Sequence, residues 1–205
     1  YPQDGIVGEE HASVSGSSGY AWVIDPIDGT ANFVRGIPAW CVVIACAKDG
    51  APVVGVIHEP STDETFYGRL GGGAFVNGRP IKASGAASLS EGSVGTGLSN
   101  RANTEHVAVL ISRIMAEGGV FFRNASGALM LSYVAAGRLI GYTEEHMNSW
   151  DCLAAMLVIE EAGGIVEPFD RDDVVANGTI AIAGGPGVFE RLRELSCAAY
   201  GTRRR

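Results

Sequence analysis

The protein is a chain of 205 residues, of which 46% are hydrophobic and 19% are charged. This length suits one domain over residues 1–205, in which we expect an antiparallel-sheet half (1–82) and a second α/β half (83–205). The formal net charge of −8 argues against nucleic-acid binding, because a broad nucleic-acid footprint needs a basic face.

The first half of the chain has the pattern of a strand meander. YAWVID, from Tyr20 to Asp25, is short, apolar and rich in β-formers, so it predicts a buried strand. The apolar runs on either side of Asp49-Gly50 predict a hairpin. Two further short strands, separated by glycine-rich turns, are expected before residue 82.

The second half alternates short strands with helical patterns. Predicted helix starts include Ser126 and Ser149, and glycines such as Gly137 and Gly163 mark helix ends. Strands followed by alternating strands and helices favour a layered α/β or α+β architecture. The predicted helices are NTEHVAVLISRIMAEGG, SGALMLSYVAAG, SWDCLAAMLVIEEAGG and PGVFERLRELSCAAY.

Compartment signals are few. None of the cysteines forms a CxxC pair, and buried free thiols fit a reducing cytoplasm, so we expect a cytoplasmic protein. There is no apolar run long enough to span a bilayer, and no membrane partner is expected. The basic run Arg203–Arg205 is expected to be a solvated tail. The cysteines are Cys41, Cys46, Cys152 and Cys197.

The segment VIDPIDGTAN places two carboxylates three residues apart at the end of an apolar run. Pro26 favours extended geometry at Asp25, and the chain can then turn so that Asp25 and Asp28 face one point. Two adjacent carboxylates repel unless a cation lies between them, and oxygen ligands favour Mg²⁺. The carbonyl oxygen of Ile27 can serve as a further ligand.

Gly29 and Thr30 follow the carboxylates directly. If a short helix begins there, its free N–H groups form an anion site. Carboxylates for a metal beside N–H groups for an anion indicate a metal-bound phosphate. An ordinary Asp-Gly turn after a strand explains the same residues, so the pattern alone leaves both interpretations open.

Two other acidic positions are similarly ambiguous on their own. Glu9 can be a solvated loop charge. Asp151 lies in the first turn of a predicted helix, where a carboxylate complements the helix dipole.

Taken together, GEE, WVIDPIDGTANF and WDCLAAMLVIEEAGG resemble the inositol monophosphatase family of Mg²⁺-dependent, lithium-sensitive phosphatases. The resemblance covers essentially the whole chain, and the DPIDGTxNF motif is its most specific part. It implies the layered αβαβα sandwich of the sugar-phosphatase superfamily. Members carry a pair of helices ahead of the GEE segment, which are not recognised in this sequence, so an N-terminally shortened version is expected.

The resemblance also implies a set of site residues. Glu9 with Thr30 would activate the attacking water, Asp28 would take part in catalysis, and the N–H groups of Gly29 and Thr30 would hold the phosphate. Two or three Mg²⁺ ions would be bound by Glu9, Asp25, the Ile27 carbonyl, Asp28 and Asp151.

Substrate contacts are implied in the same way. The segment RNASGAL resembles the part of the family that lines the sugar pocket, which points to Ser126, Gly127 and Ala128. Glu144 would accept a hydrogen bond from a substrate hydroxyl, unless it is a surface charge beside Glu145. The remaining expected substrate contacts are Ile27, Asp28, Gly29, Thr30 and Asp151.

The implied function is Mg²⁺-dependent hydrolysis of inositol monophosphate or a similar small polyol phosphate by an activated water. Histidinol-phosphate phosphatase and fructose-1,6-bisphosphatase are the alternatives among enzymes; the Glu144-Glu145 pair could suit the ammonium of histidinol phosphate. Ala31 after DGT argues against a bisphosphate nucleotidase. A non-catalytic regulatory protein of the same fold is a further alternative. The family is usually dimeric, so a homodimer is expected.

Overall fold

The computed structural model describes residues 1–99 and 101–201. Within these residues the chain forms two β-sheets and six α-helices, which confirms the predicted α/β class. The predicted basic tail, Arg203–Arg205, lies outside the described residues.

The first sheet has seven strands, and their order in the sheet follows their order in the chain. The strands are β1 (Gly5–Gly8), β2 (Tyr20–Asp28), β3 (Cys41–Lys48), β4 (Ala51–Glu59), β5 (Glu64–Arg69), β6 (Ala74–Val76) and β7 (Arg79–Pro80). β1 pairs with β2 in parallel, and every later pair is antiparallel, as the predicted meander requires. The short helix α1 (Thr30–Phe33) connects β2 to β3.

The second sheet has five strands, β8 (Ser93–Thr96), β9 (Val120–Phe122), β10 (Gly141–Met147), β11 (Ile165–Val166) and β12 (Thr179–Gly184). Their order in the sheet is β11-β12-β10-β8-β9. β8 pairs in parallel with both β9 and β10, whereas β12 is antiparallel to both β10 and β11.

The helices after α1 are α2 (Thr104–Ala116), α3 (Gly127–Ala135), α4 (Ser149–Glu161), α5 (Val174–Asn177) and α6 (Phe189–Tyr200). The longer ones form two layers. α3 and α4 pack on each other and contact both sheets, while α2 and α6 pack together on the other face of the second sheet. Because α4 has a sheet on either side, it is apolar around most of its circumference.

The core follows these layers. One apolar cluster fills the space around α3 and α4, where Phe66, Leu129 and Met156 are fully buried. A second cluster joins α2 and α6 to the second sheet through side chains such as Leu110 and Leu192. The order of layers is therefore sheet, helices, sheet, helices.

Two predictions about the rest of the chain can be compared with the structure. All four cysteines are free, and three of them are buried, as expected for structural thiols. In the described part of the chain, none of the helices is both long enough and apolar enough to cross a bilayer.

Candidate metal centre and adjoining pocket

A bulge in β2 brings Asp25 and Asp28 together. Between these residues the pairing with β3 shifts, so that three steps along β2 oppose two steps along β3. Residues three apart in a regular strand face opposite sides, and the extra residue returns Asp28 to the side of Asp25. Pro26 lies within the bulge, where its missing N–H does little harm to the strand pairing. The N–H of Ile27 donates to Asp25 Oδ1 at 2.8 Å and fixes the turn.

Helix α4 supplies the third carboxylate. Asp151 lies in its first turn, and carboxylate oxygens of Asp25, Asp28 and Asp151 lie within 4.8 Å of one another. Asn148, at the N-cap position, donates from Nδ2 to Asp151 Oδ2 at 3.2 Å. The structure thus brings Asp151 next to a pair of acidic residues that lies more than 120 positions earlier in the sequence.

The beginning of α3 holds Asp28 in place. Asp28 Oδ2 accepts hydrogen bonds from Ser126 Oγ at 2.5 Å and from the Ala128 N–H at 2.9 Å. Ser126 and Ala128 are fully buried and contact Asp28. They do not line the neighbouring cavity, whereas Gly127 lines it. The sequence had suggested all three as pocket residues.

The electrostatics of the three acidic residues favour a cation. Burial, together with the charge of Asp28, raises the pKa of Asp25 to about 9. Burial and the same charge raise the pKa of Asp151 to about 7. Within residues 1–99 and 101–201, no ion pair links any of the three to a Lys or Arg. Three adjacent carboxylates offer oxygen ligands, and none of them is paired with a Lys or Arg among the described residues. Such a group suits a hard divalent ion.

Glu9 lies at the edge of this cluster. β1 and β2 run in parallel with Gly8 opposite Ile24, so Glu9 follows its strand next to Asp25. Partial burial raises the pKa of Glu9, and a hydrogen bond with Asp25 opposes that shift. Glu9 is exposed and is not one of the three tightly grouped acids.

The turn after Asp28 depends on glycine. Gly29 has a φ of 90°, and a Cβ there would lie 2.9 Å from the Ala39 carbonyl oxygen. Thr30 Oγ1 donates to the Ile27 carbonyl at 2.9 Å, which leaves that oxygen a second lone pair. In this described segment no side chain caps the start of α1. The short helix expected directly after Asp28 is therefore present, and the use of its N–H groups for an anion stays a prediction.

A cavity of about 160 Å³ adjoins the carboxylates. Glu144 is 7% exposed and lines this cavity, so it is not a surface charge. Burial raises its pKa to about 7, opposed by a hydrogen bond from Tyr142 and by the charge of Arg123. The neighbouring Glu145 instead contacts His106 Nδ1 at 2.9 Å. Polar and small residues lining the cavity include Asp28, Asp151, Gly97, Arg123, Tyr142 and Glu144.

Sequence reasoning did not single out Tyr142, Asn148 or Gly97 as residues of the site. Tyr142 precedes Glu144 by two positions in β10, and the strand alternation alone could have indicated a shared face. Asn148 precedes a helix and is a common N-cap type, which is a second usable signal. Gly97 follows β8 with no local signal of its role.

Comparisons with known proteins agree with this geometry. The chain matches the inositol monophosphatase family over residues 1–199. Inositol-1-monophosphatase of Mesorhizobium japonicum is 40% identical over 183 residues, covering 87% of this chain and 69% of that protein. Nus factor SuhB of Pseudomonas aeruginosa is 35% identical over 199 residues, covering 94% of this chain and 73% of that protein.

A solved structure supports the fold independently. The extragenic suppressor protein suhB from Bartonella henselae superposes with a TM-score of 0.88 at 34% identity. The match covers 95% of this chain and 76% of that one. The likeness therefore extends over both sheets and the layers between them.

Proposed function

Because the chain belongs to the inositol monophosphatase family, whose members include phosphatases, we propose that it is a Mg²⁺-dependent phosphomonoesterase acting on inositol monophosphate or a similar small polyol phosphate. One observation carries this proposal: the carboxylates of Asp25, Asp28 and Asp151 converge beside a cavity that also contains Glu144. A metal site next to a polar pocket is the arrangement that metal-assisted phosphate hydrolysis requires.

The residues present fit Mg²⁺. All the available donors are oxygens, which a hard ion prefers, and burial together with the repulsion between the carboxylates raises the pKa values of Asp25 and Asp151 when no metal is present. When bound, Mg²⁺ offsets the negative charge of the phosphate and lowers the pKa of the attacking water. Two or three ions would be held by Glu9, Asp25, the Ile27 carbonyl, Asp28 and Asp151.

The protein groups around the metal centre would position the reactants. Glu9 and Thr30 would orient the attacking water, and the Glu9 carboxylate would accept its proton. The N–H groups of Gly29 and Thr30 would donate to phosphate oxygens. Asp28, oriented by the hydrogen bond from Ser126, would keep its carboxylate in one place during the reaction.

The cavity would bind the alcohol portion of the substrate. Glu144 would accept a hydrogen bond from a hydroxyl, and Gly127 would allow the ring to approach α3 closely. Histidinol phosphate and fructose 1,6-bisphosphate are the alternative substrates. We also expect a homodimer, which light scattering on the purified protein would test.

A non-catalytic role is the second candidate function. The name of the Pseudomonas relative, Nus factor SuhB, does not describe a phosphatase. A binding or regulatory protein of the same fold is therefore kept as an alternative. Its cellular role would survive substitution of Asp25, whereas an enzyme's role would not.

The direct test is phosphate release by the purified chain, with Mg²⁺ and with a chelator. The substrates are inositol 1-phosphate, histidinol phosphate, fructose 1,6-bisphosphate and adenosine 3′,5′-bisphosphate. We expect Mg²⁺-dependent release that is fastest from inositol 1-phosphate. A different favourite would correct the substrate. Absence of release from all four, by folded protein, would contradict the enzyme and favour the regulatory role.

A further inference from the structure

Strand β10 presents its side chains alternately to two different environments. Tyr142 and Glu144 both line the cavity next to the metal centre. Thr143, between them, faces α6, where its hydroxyl contacts Ser196 Oγ at 2.9 Å and Tyr200 Oη at 3.1 Å. The strand therefore carries one buried hydroxyl group on each side, that of Tyr142 towards the cavity and that of Thr143 towards α6.

Tyr142 and Glu144 form a buried charge-assisted pair. Tyr142 is fully buried, and its hydroxyl donates to Glu144 Oε2 at 2.6 Å. A buried phenol needs a partner, and a hydrogen bond to a carboxylate is among the stronger kinds. The backbone N–H of Ser99 also donates a hydrogen bond to Glu144. A carboxylate has about four acceptor positions, so these two donors leave acceptor capacity for a ligand hydroxyl.

Two cavity-lining glycines leave the pair little room to move. A Cβ at Gly97 would lie 2.1 Å from Glu144 Oε2 and 2.4 Å from Tyr142 Oη. A Cβ at Gly127 would lie 3.3 Å from Tyr142 Oη. The backbone thus encloses the hydroxyl and the carboxylate at close range, which fixes where the acceptor oxygens can be.

We propose that Tyr142 is a specificity-determining positioning residue, which holds the Glu144 carboxylate so that the cavity selects phosphate esters whose alcohol portion carries a hydroxyl donor. This inference rests on the proposed function. Tyr142 acts through Glu144 and has no part in the chemical step. The Tyr142 hydroxyl should therefore affect the hydrolysis of polyol phosphates and should not affect that of an aryl phosphate, which offers no hydroxyl.

The test compares two substrates, inositol 1-phosphate and p-nitrophenyl phosphate, with Mg²⁺ present. The variants are Tyr142→Phe, Glu144→Gln and the double variant. Tyr200→Phe is the matched control, because it removes a buried hydroxyl that contacts the opposite face of the same strand. Thermal unfolding of each variant checks that the fold is kept.

We expect Tyr142→Phe to lower kcat/KM for inositol 1-phosphate about tenfold, mainly through KM. Hydrolysis of p-nitrophenyl phosphate should change less than twofold, and Tyr200→Phe should leave the ratio between the substrates unchanged. In the Glu144→Gln background, Tyr142→Phe should add nothing. An equal loss on both substrates, no loss on either, or a full additional loss without Glu144 would overturn the proposal.

A second measurement separates this inference from the proposed function. If the wild-type chain hydrolyses neither substrate, the proposed function fails. ¹³C NMR titration of the Glu144 carboxyl, assigned with Glu144→Gln, then decides about Tyr142. Positioning by Tyr142 predicts that Tyr142→Phe raises the pKa of Glu144, because the hydroxyl stabilises the charged form. An unchanged pKa would overturn the pairing.

Discussion

The two ends of helix α3 hold carboxylates in opposite ways. At its beginning, Asp28 accepts hydrogen bonds from Ser126 and Ala128, and within the described ranges it forms no ion pair with a Lys or Arg. Beyond its other end, Arg138 makes two hydrogen bonds of 2.6 Å to Glu64. Glu64 has a positive partner within the chain, whereas Asp28 has none among the described residues and belongs to a cluster that could hold a metal ion.

The pKa values express this difference. Arg138 lowers the pKa of Glu64 through a hydrogen bond, so the charged form is favoured there. Burial and neighbouring carboxylates raise the pKa of Asp25 to about 9 and that of Asp151 to about 7. The candidate metal centre is therefore distinguished by two features: its three carboxylates, and the lack of an ion-paired Lys or Arg beside them among the described residues.

Removing one of the unpaired carboxylates should have the largest effect. We expect Asp25→Asn to lower Mg²⁺-dependent phosphate release by roughly a hundredfold or more, since even groups that only support metal ligands contribute 10–100-fold. At pH 7 without metal, Asp25 is mostly protonated because its pKa is about 9, and Asn has nearly the same shape. Because Asp25 ionises on unfolding whereas Asn does not, the metal-free Tm should rise, as calorimetry would show.

Addition of Mg²⁺ provides the matching stability measurement. A ligand at a hundred times its Kd stabilises the folded state by about 2.7 kcal/mol. The wild-type Tm should rise accordingly, and the rise should shrink or vanish in Asp25→Asn. Retention of most of the activity and of the Mg²⁺-induced shift would mean that Asp25 is not a ligand.

The hydrogen bond from Ser126 to Asp28 sharpens the comparison at the beginning of α3. Ser126→Ala removes this donor, and we expect kcat/KM to fall roughly 10–100-fold because a ligand loses its orientation. Ser132→Ala is the matched control: Ser132 is equally buried on the same helix, but its hydroxyl donates to the Ala128 carbonyl. A similar loss in both variants would indicate a general defect of α3 instead.

These long-range partners explain what the sequence could and could not predict. Asp25 and Asp28 were predicted to face one point from a local feature, the proline between them, and the bulge provides the mechanism. The contact between Asp28 and Ser126 spans 98 positions and leaves no local pattern. Ser126 was predicted as a helix cap; it occupies that position, but its hydroxyl binds Asp28.

The helix that carries Asp151 shows the same limit at closer range. Ser149 was predicted as its N-cap, which was wrong by one position, since Asn148 is the N-cap. The Ser149 hydroxyl instead donates to the Val175 carbonyl at 2.9 Å. Either residue type suits a cap, so the choice depends on a tertiary partner that the local sequence does not encode.

The carboxylate cluster and Glu64 should also respond to pH in opposite directions when metal is absent. Asp25 and Asp151 have folded pKa values above their ordinary value of 3.8, so the folded state binds more protons than the unfolded state. Their contribution to stability is full below about pH 4 and is lost as pH rises through about 7 and 9. Glu64 has a lowered pKa, so its contribution is present above its ordinary value of 4.5 and is lost on acidification.

Thermal unfolding across pH, with a chelator present, would measure both trends. Asp25→Asn should flatten the alkaline decline of Tm, and Glu64→Gln should reduce the acid loss. Mg²⁺ should also flatten the alkaline decline, because the cation replaces the protons. A wild-type Tm that rises steadily from pH 5 to pH 9 without metal would contradict the raised pKa values of Asp25 and Asp151.

The ion pair at the far end of α3 should give the smallest effect. Glu64→Gln is expected to cost at most about 1 kcal/mol, because Arg138 is 41% exposed and solvent screens its charge. In a chain of this size that corresponds to a Tm decrease of about 2–4 °C, which should diminish at high salt. Arg138 should keep its place, since it also lies over the rings of Phe66 and Tyr133. Activity with Mg²⁺ should be unchanged; a large loss would mean that the two ends of α3 are coupled, and that the carboxylates at one end depend on the ion pair at the other.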